Sequence, residues 1–579
     1  MDKKSLIAMF LIAIILILLP TYQEYVLGVK PQENGAADSV VTERKIEPAP
    51  QSKTVVQEKT ESTDELIIPN ENVEGDSLEK NIVIESENYI VELSNKGGGS
   101  IISYVLKKYS KYDSSLVNMV SRELENNLTL SFQESGGSYI ETKDFVYNVS
   151  STLSNKNLSD NEEFSLVYTM QYNGTEIRKE FIFYNDAYHI DLKVSISDMA
   201  ILLNNQYQIN WINGLPSTES YVADDSEYST AFVFMADDLE SFEVDEPGNT
   251  KATFSGKADW IAVRTKYFIT SISVLDANVS NGVYFNGVGI EQEEYLQKLF
   301  NTGFFAQYNP NKGSDIYRLY IGPLDHNELG KYDNNLDELI MNNGAYEQFF
   351  RPVSRIVLVA LEFLHSFIPN WGIVIIVFSI LIKILLWPLT KKSYQSTKKM
   401  QVLQPKMNAI KEKYKNDQQR MNKEMMELYK VHGYPLSGCL PMLLQMPLLL
   451  ALYIVFRSTI QLRGAVFIPG WIEDLSRADT LFSLPFSLPM YGDQFNLLPL
   501  LMAVTMFFQS KMTMQDPKQK AMVYVMPIFM LAIFNRFPSG LNLYYTLFNL
   551  FTIIQQKFVH ADDSGGKKKV EKKKLNKRK

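Results

Sequence analysis

The sequence predicts a polytopic α-helical membrane protein carrying a β-sandwich domain inserted on one side of the bilayer. Three observations carry that prediction. Of 579 residues 45% are hydrophobic, yet the apolar runs gather at the extreme N-terminus and after residue 350, leaving a polar, acidic stretch between. Residues 28–370 hold 26 Lys and Arg against 52 Asp and Glu, whereas the segments between the later apolar runs are basic. From about Asn81 to Tyr346 the chain reads as many short β-type runs separated by turn signals, which a sandwich accommodates better than a helical fold.

The elements follow in order. Leu6–Leu19 is apolar after Asp2, Lys3 and Lys4, and Pro20-Thr21-Tyr22-Gln23-Glu24 offers no small-x-small cleavage pattern, so residues 1–27 are read as an uncleaved signal anchor. Residues 28–80, rich in Glu, Pro, Ser, Asn and Lys, are read as a flexible tether. Residues 81–346 form the β domain. Within it Tyr188, Ile190, Leu192, Val194 and Ile196 alternate with His189, Asp191, Lys193 and Ser195, and Asn185-Asp186 supply the turn from the preceding run. Asn127 to Thr129 would be a glycan acceptor in a eukaryotic secretory protein but carries no weight in an Asn-rich chain.

Residues 347–369 are read as an amphipathic helix lying in the outer interface. Val353–Ile368 is short, carries Arg355, Glu362 and Ser366 as a polar stripe, and starts at Arg351-Pro352. Residues 370–390 form a span. Residues 391–437, with 11 basic and 4 acidic side chains, form a basic helical hairpin in which Asn416 and Asp417 supply the turn and a cap for the second helix, Gln418–Lys430. Residues 438–560 contain four more candidate spans, near 438–456, 496–511, 522–536 and 540–556. The tail 561–579 has nine basic and three acidic residues and no apolar pattern, so it binds polyanions only through counterion release. Six crossings from an inside N-terminus put every basic segment in the cytoplasm and the acidic domain outside.

Lys383 is the most informative single residue, because it lies within the apolar run Trp371–Leu389. A run of that length spans about 28 Å, and a cation near a helix centre costs about 2.5–3.5 kcal/mol, so such a residue marks a partner or a wet cavity. Snorkelling is the competing reading, since Thr390 and the helix exit are only about 10 Å away. Asn542, Thr546 and Asn549 recur at helical spacing on the last span and Gln445 lies in the third. They are either inter-helix hydrogen-bonding groups or the far wall of a groove facing Lys383. The basic hairpin is either a solvated spacer or a contact for anionic headgroups or ribosomal RNA.

Catalytic apparatus is not legible. The single cysteine, Cys439, opens a span and reads as a packing residue; no zinc spacing, phosphate loop, nucleophile elbow or dinucleotide fingerprint occurs, and five histidines are available. No cofactor or metal is expected, and the chain is not read as an enzyme.

A set of ordered motifs resembles the YidC membrane protein insertases along the whole chain: Asn370-Trp371-Gly372, Trp387-Pro388-Leu389-Thr390, Leu403-Gln404-Pro405-Lys406, Met425 to Lys430, Gly438-Cys439-Leu440-Pro441, Gln445-Met446-Pro447, Trp471-Ile472-Glu473-Asp474-Leu475, Asp516-Pro517 and Phe537-Pro538-Ser539-Gly540-Leu541. Asn95-Lys96-Gly97-Gly98-Gly99, Trp260 with Lys266-Tyr267-Phe268, and Tyr320-Ile321-Gly322-Pro323 resemble the periplasmic domain of Gram-negative members. The resemblance implies a periplasmic β-supersandwich and six transmembrane helices, five of them forming the insertase core. It implies insertion and folding of nascent membrane proteins into the inner membrane, alone or with the Sec translocon, through a groove open to cytoplasm and lipid. The ribosome and anionic lipids would meet the basic hairpin and tail, with no nucleic-acid sequence preference. By position, Lys383 matches a groove cation that is usually arginine, Ser379 and Tyr545 match groove-lining positions, and Gln445, Met446 and Pro447 match the segment set against the nascent helix. Arg536 stands where an aromatic is common and is expected to reach the outer headgroups. Two other readings are a small-anion transporter using Lys383, against which the chain shows neither internal repeats nor paired broken helices, and an anchored periplasmic receptor or carbohydrate-binding protein, which leaves five spans unexplained.

Overall fold

The computed structural model describes residues 73–120, 127–276, 278–432, 440–488, 490–513 and 520–558. The signal anchor expected at 1–27, the tether up to residue 72, Cys439 and the basic tail lie outside the described residues.

The exterior domain is built from three sheets. The ten-stranded sheet has at its centre Thr175–Tyr184, His189–Ile196, Asp315–Pro323, Phe268–Val274 and Ala258–Arg264, in that spatial order. A six-stranded sheet is centred on the long hairpin Ser280–Glu291 and Leu296–Gln307, and a five-stranded sheet on Tyr89–Ser94 and Ser100–Ser110. Pairing is antiparallel throughout except between Asn81–Glu85 and Asn155–Asn157. Alternation supplies the reason: Thr175–Tyr184 buries every second side chain, and the inner faces of the sheets share one core containing Trp211, Trp260, Tyr89, Tyr104 and Tyr168. Pairing begins at Val73–Glu74, inside the stretch read as tether, where two residues opposite Tyr172 and Gln171 are too few to leave a periodic signal. Asp191 departs from the expected alternation: it is buried because Arg318, on the neighbouring strand, grips both its carboxylate oxygens at 2.7 and 2.9 Å.

Two short helices, α1 (Val222–Tyr228) and α2 (His326–Leu329), lead to α3 (Gly344–His365). The latter starts two turns before the expected Arg351-Pro352. Its first turn is closed by the Glu347 carboxylate, which accepts the Asn343 N–H at 2.8 Å, and Pro352 is carried within the helix. The polar stripe of α3 is partnered and not left to water alone: Arg355 pairs with Asp337 of the exterior domain, and Glu362 accepts Gln461 Nε2 at 3.1 Å from the stretch that follows α6. Phe349, Ile356, Val359 and Phe363 remain exposed on the same helix.

Helix α4 (Trp371–Lys413) runs unbroken through the expected span into the first arm of the basic hairpin, with Pro388 and Pro405 inside it and Asn370 capping it through the Ile373 N–H. After a turn at 414–417, Asp417 accepts the Arg420 N–H at 3.0 Å and opens α5 (Gln418–His432). Helices α6 (Leu440–Ser458), α7 (Leu497–Thr513), α8 (Lys520–Phe534) and α9 (Ser539–Phe558) complete the helical region. Among the described residues only Trp371–Pro388, with mean hydropathy 2.3, is long and apolar enough to cross a bilayer by length and composition; Gln445–Ser458, Leu497–Met512 and Val523–Phe534 are shorter apolar stretches. Between α6 and α7 the chain forms a two-stranded hairpin, Thr480–Leu488 with Gly492–Asn496, that the sequence reading did not anticipate.

Candidate functional site: a buried lysine seam and an ionic dock

Lys383 and Ser379 share one face of α4, a turn apart, and both are buried. Ser379 spends its hydroxyl on the Ile375 carbonyl at 2.7 Å, leaving the seam's charge to the lysine. The Lys383 ammonium donates to Thr552 Oγ1 at 2.6 Å, and that hydroxyl in turn donates to the Phe548 carbonyl at 2.7 Å. It also lies 4.2 Å from the Phe548 ring centroid and 6.0 Å from that of Tyr394. Among the described residues no carboxylate pairs with it. One step further along the same contact, Gln555 Nε2 donates to Thr390 Oγ1 at 3.0 Å. Lysine, threonines and glutamine thus line the seam between α4 and α9.

The other expected residues divide. Asn549 is buried and reaches Thr505 on α7 at 3.5 Å, while Tyr545 is buried against Phe534 with Gln445 beside its hydroxyl. Asn542 does not face the seam: its amide donates to the Phe534 and Phe537 carbonyls at 3.1 and 3.2 Å and so caps the end of α8. Thr546 donates to the Asn542 carbonyl at 2.8 Å, an ordinary in-helix bond. Met446 is 41% exposed and Pro447 is half-buried, so both are accessible at the surface of α6. Thr552, Gln555 and Thr390 were missed by the sequence reading. For Thr552 the signal was present, since the polar row Asn542, Thr546, Asn549 continues to it at helical spacing.

A second polar constellation joins the exterior domain to the helical core. Glu219, buried, accepts Arg463 Nε at 2.6 Å and Arg477 Nη2 at 2.8 Å, both from the α6–α7 connection. Asp224 on α1 accepts from Lys266 at 2.6 Å and from Arg457 at the end of α6 at 3.1 Å, and Tyr267 donates to the Arg457 carbonyl at 3.0 Å. Arg463 also lies 5.3 Å from the Phe268 ring centroid. Lys266-Tyr267-Phe268, singled out in the sequence, is therefore a docking strip. Burial alone would raise the Glu219 and Asp224 carboxyls; the neighbouring cations reverse this and hold both below the usual carboxylate range.

Comparison with known proteins places this architecture. A family model described as the YidC periplasmic domain matches residues 81–346, and one described as 60Kd inner membrane protein matches residues 363–566. The membrane protein insertase YidC of Chlorobaculum parvum is 33% identical over 581 residues, covering 97% of this chain and 95% of its own. The chain belongs to the YidC family. A YidC insertase of Prosthecochloris aestuarii is 34% identical over 85% of this chain and 84% of its own. A solved structure, an active YidC insertase with its first transmembrane domain resolved, is 18% identical with a TM-score of 0.34, covering 84% of this chain and 96% of its own. The assignment rests on the sequence matches. In YidC terms the three-sheet domain is the periplasmic domain, the helical region is the inner-membrane part, and the ionic constellation is where the two meet.

Proposed function

We infer that this chain is a membrane protein insertase of the inner membrane, acting on membrane proteins through the α4–α9 seam. The observation that carries the reading is Lys383, 5% exposed inside the one full-length apolar span among the described residues, with its ammonium bonded to a neutral hydroxyl. A cation there without a carboxylate partner is costly to keep for packing alone, and it is an attractor for an acidic residue passing by. A polar seam lowers the local barrier to a short hydrophilic segment, while the apolar helix that follows it moves into lipid along apolar flanks. Burial of about 20 apolar residues supplies the driving force, so no nucleotide is required.

The topology that goes with this reading has six crossings with both termini cytoplasmic. The distribution of basic segments supports it, and so does the exterior position it gives to the acidic domain. The Sec translocon is proposed as a partner in the membrane, with ribosome and anionic headgroups meeting α5, the adjoining arm of α4 and the basic tail. Lys383, Ser379, Gln445, Tyr545 and Asn549, joined by Thr552, are proposed as seam residues; Met446 and Pro447 are proposed to meet substrate at the surface of α6, and Asn542 and Thr546 to hold the helix that carries the seam.

The test is insertion of a single-span protein with an acidic translocated tail into vesicles containing wild type, Lys383→Arg or Lys383→Ala. Loss in Lys383→Ala, by about tenfold, with rescue by Lys383→Arg supports the charged seam. Equal insertion by all three above empty vesicles leaves an insertase whose lysine only snorkels. No insertion above empty vesicles points to dependence on Sec or to the anion transporter.

A further inference from the structure

We propose that the hairpin Thr480–Leu488 and Gly492–Asn496 is a membrane anchor, laying its outer strand into the boundary between headgroups and acyl chains of the outer leaflet. The proposal rests on the topology above, which puts the α6–α7 connection outside.

Composition comes first. The twelve residues Thr480 to Tyr491 carry no charge, in a chain that is 21% charged. Leu481, Phe482, Phe486, Leu488 and Met490 are 43–58% exposed, and the strand Thr480–Leu488 is exposed at eight of its nine positions, on both faces. A lone two-stranded hairpin is marginal in water, and one with an apolar surface on both faces gains nothing by standing in it.

Position selects the occupant. The base of the hairpin is tied to the first turn of α7, where Asp479 accepts the Leu497 and Leu498 N–H groups at 3.0 and 2.7 Å. Its inner strand lies along the α8–α9 turn: Asn535 donates to the Tyr491 and Gln494 carbonyls at 3.0 and 2.8 Å, and Asn496 donates back to the Asn535 carbonyl. The hairpin thus sits level with the ends of three helices proposed to cross the membrane, with its apolar strand outermost. Arg536 adds a cation there. Its guanidinium covers Gly492, so close that a Cβ at that position would meet Nε at 3.1 Å, and Gly492 has a φ of 92° that disfavours any other residue. Apolar side chains beside an exposed arginine complement a phospholipid surface. An extended peptide fits less well, because Pro485 removes a backbone donor from the middle of the outer strand and the pairing register is broken between Ser483 and Leu488.

The experiment uses the full chain with Cys439→Ser and Ser487→Cys, labelled with an environment-sensitive fluorophore and reconstituted into phosphatidylcholine and phosphatidylglycerol vesicles. Some vesicles carry lipid nitroxides near the headgroup and others near the chain terminus. The expected result is blue-shifted emission, about a twofold loss with the shallow nitroxide, and protection from aqueous iodide; Phe482→Ser with Phe486→Ser removes the nitroxide effect. Quenching by iodide and by neither nitroxide overturns the proposal, as does protection from all three quenchers, which means the strand is covered by protein. An impermeant reductant applied to oriented vesicles reports the side separately. A lipid-quenched label that is reduced only from the side of the basic hairpin refutes the topology and leaves the lipid contact standing.

Discussion

Lys383 Nζ stands 2.6 Å from Thr552 Oγ1, and this one bond ties the first third of α4 to the last third of α9. The threonine hydroxyl accepts one N–H of the ammonium and donates its own proton to the Phe548 carbonyl. A neutral partner holds the ammonium in place without neutralising it, so the charge stays available to a passing carboxylate.

Removing that hydroxyl tests the arrangement. Thr552→Val keeps the shape and deletes the acceptor, and is expected to destabilise the helical region by about 1–2 kcal/mol while Thr552→Ser stays near wild type. Thermal unfolding in detergent reads the difference. A valine variant as stable as wild type means that lipid or water already satisfies the ammonium.

Glu219 is the hub of the periplasmic dock. Glu219→Gln leaves Arg463 and Arg477 facing a neutral amide at a site where the carboxylate is only 7% exposed, and a loss of about 3 kcal/mol in docking stability is expected. Hydrogen exchange of residues 459–479 reads it as faster opening with the β sheets unchanged. Because the folded carboxyl lies below its ordinary 4.5, its contribution is complete above that value and is lost as pH falls through the lower, folded one. The dock is expected to release in acid before the β domain unfolds.

Lys179 behaves oppositely. Fully buried between the sheets, it donates to the Gly97 and Leu128 carbonyls at 3.2 and 2.7 Å, and burial lowers its pKa to about 7. Unfolded, the same amine holds its proton up to about 10.4, so between these values the unfolded state binds more protons and stability rises with pH. Between pH 7 and pH 9.5 a gain of about 3 kcal/mol is expected in denaturant unfolding of the β domain. Lys179→Met is expected to flatten that slope, and an unchanged slope would mean another group titrates.

Gly99 is the position of the Gly97-Gly98-Gly99 turn that lies against two different aromatic rings. Its φ of 86° suits glycine, and a Cβ there would collide with the rings of Tyr168 and Phe181. Gly99→Ala is expected to cost the β domain about 2–4 kcal/mol, read as a lowered melting temperature, with Gly136→Ala, which has open space, as the control.

Much of the helical region was legible because its signals are local. The turn expected at Asn416 and Asp417 is there, with Asp417 the residue that caps α5, and the apolar run around Lys383 announces itself by length. The start of α3 was not legible, since Arg351-Pro352 is a strong local stop signal and the turns before it are held by distant groups: Glu347 accepts from Tyr228 at 3.2 Å across 119 residues. The hairpin after Thr480 escaped for a related reason, because Pro485 argues against a strand and the strand exists only by pairing with Gly492–Asn496.

The sequence by itself determined the succession of an acidic β-rich stretch and apolar runs separated by basic segments, the family, and the presence of a lone cation in an apolar helix. These are properties of composition and spacing along the chain, which survive without knowledge of any contact. Only the tertiary structure decided which polar residues meet that cation. Thr552 was chosen over Asn542 because α9 packs its C-terminal half on α4 while Asn542 is drawn off to cap α8. It also decided that Lys266-Tyr267-Phe268 is a dock, since its partners Asp224 and Arg457 come from separate parts of the chain and no local rule brings them together.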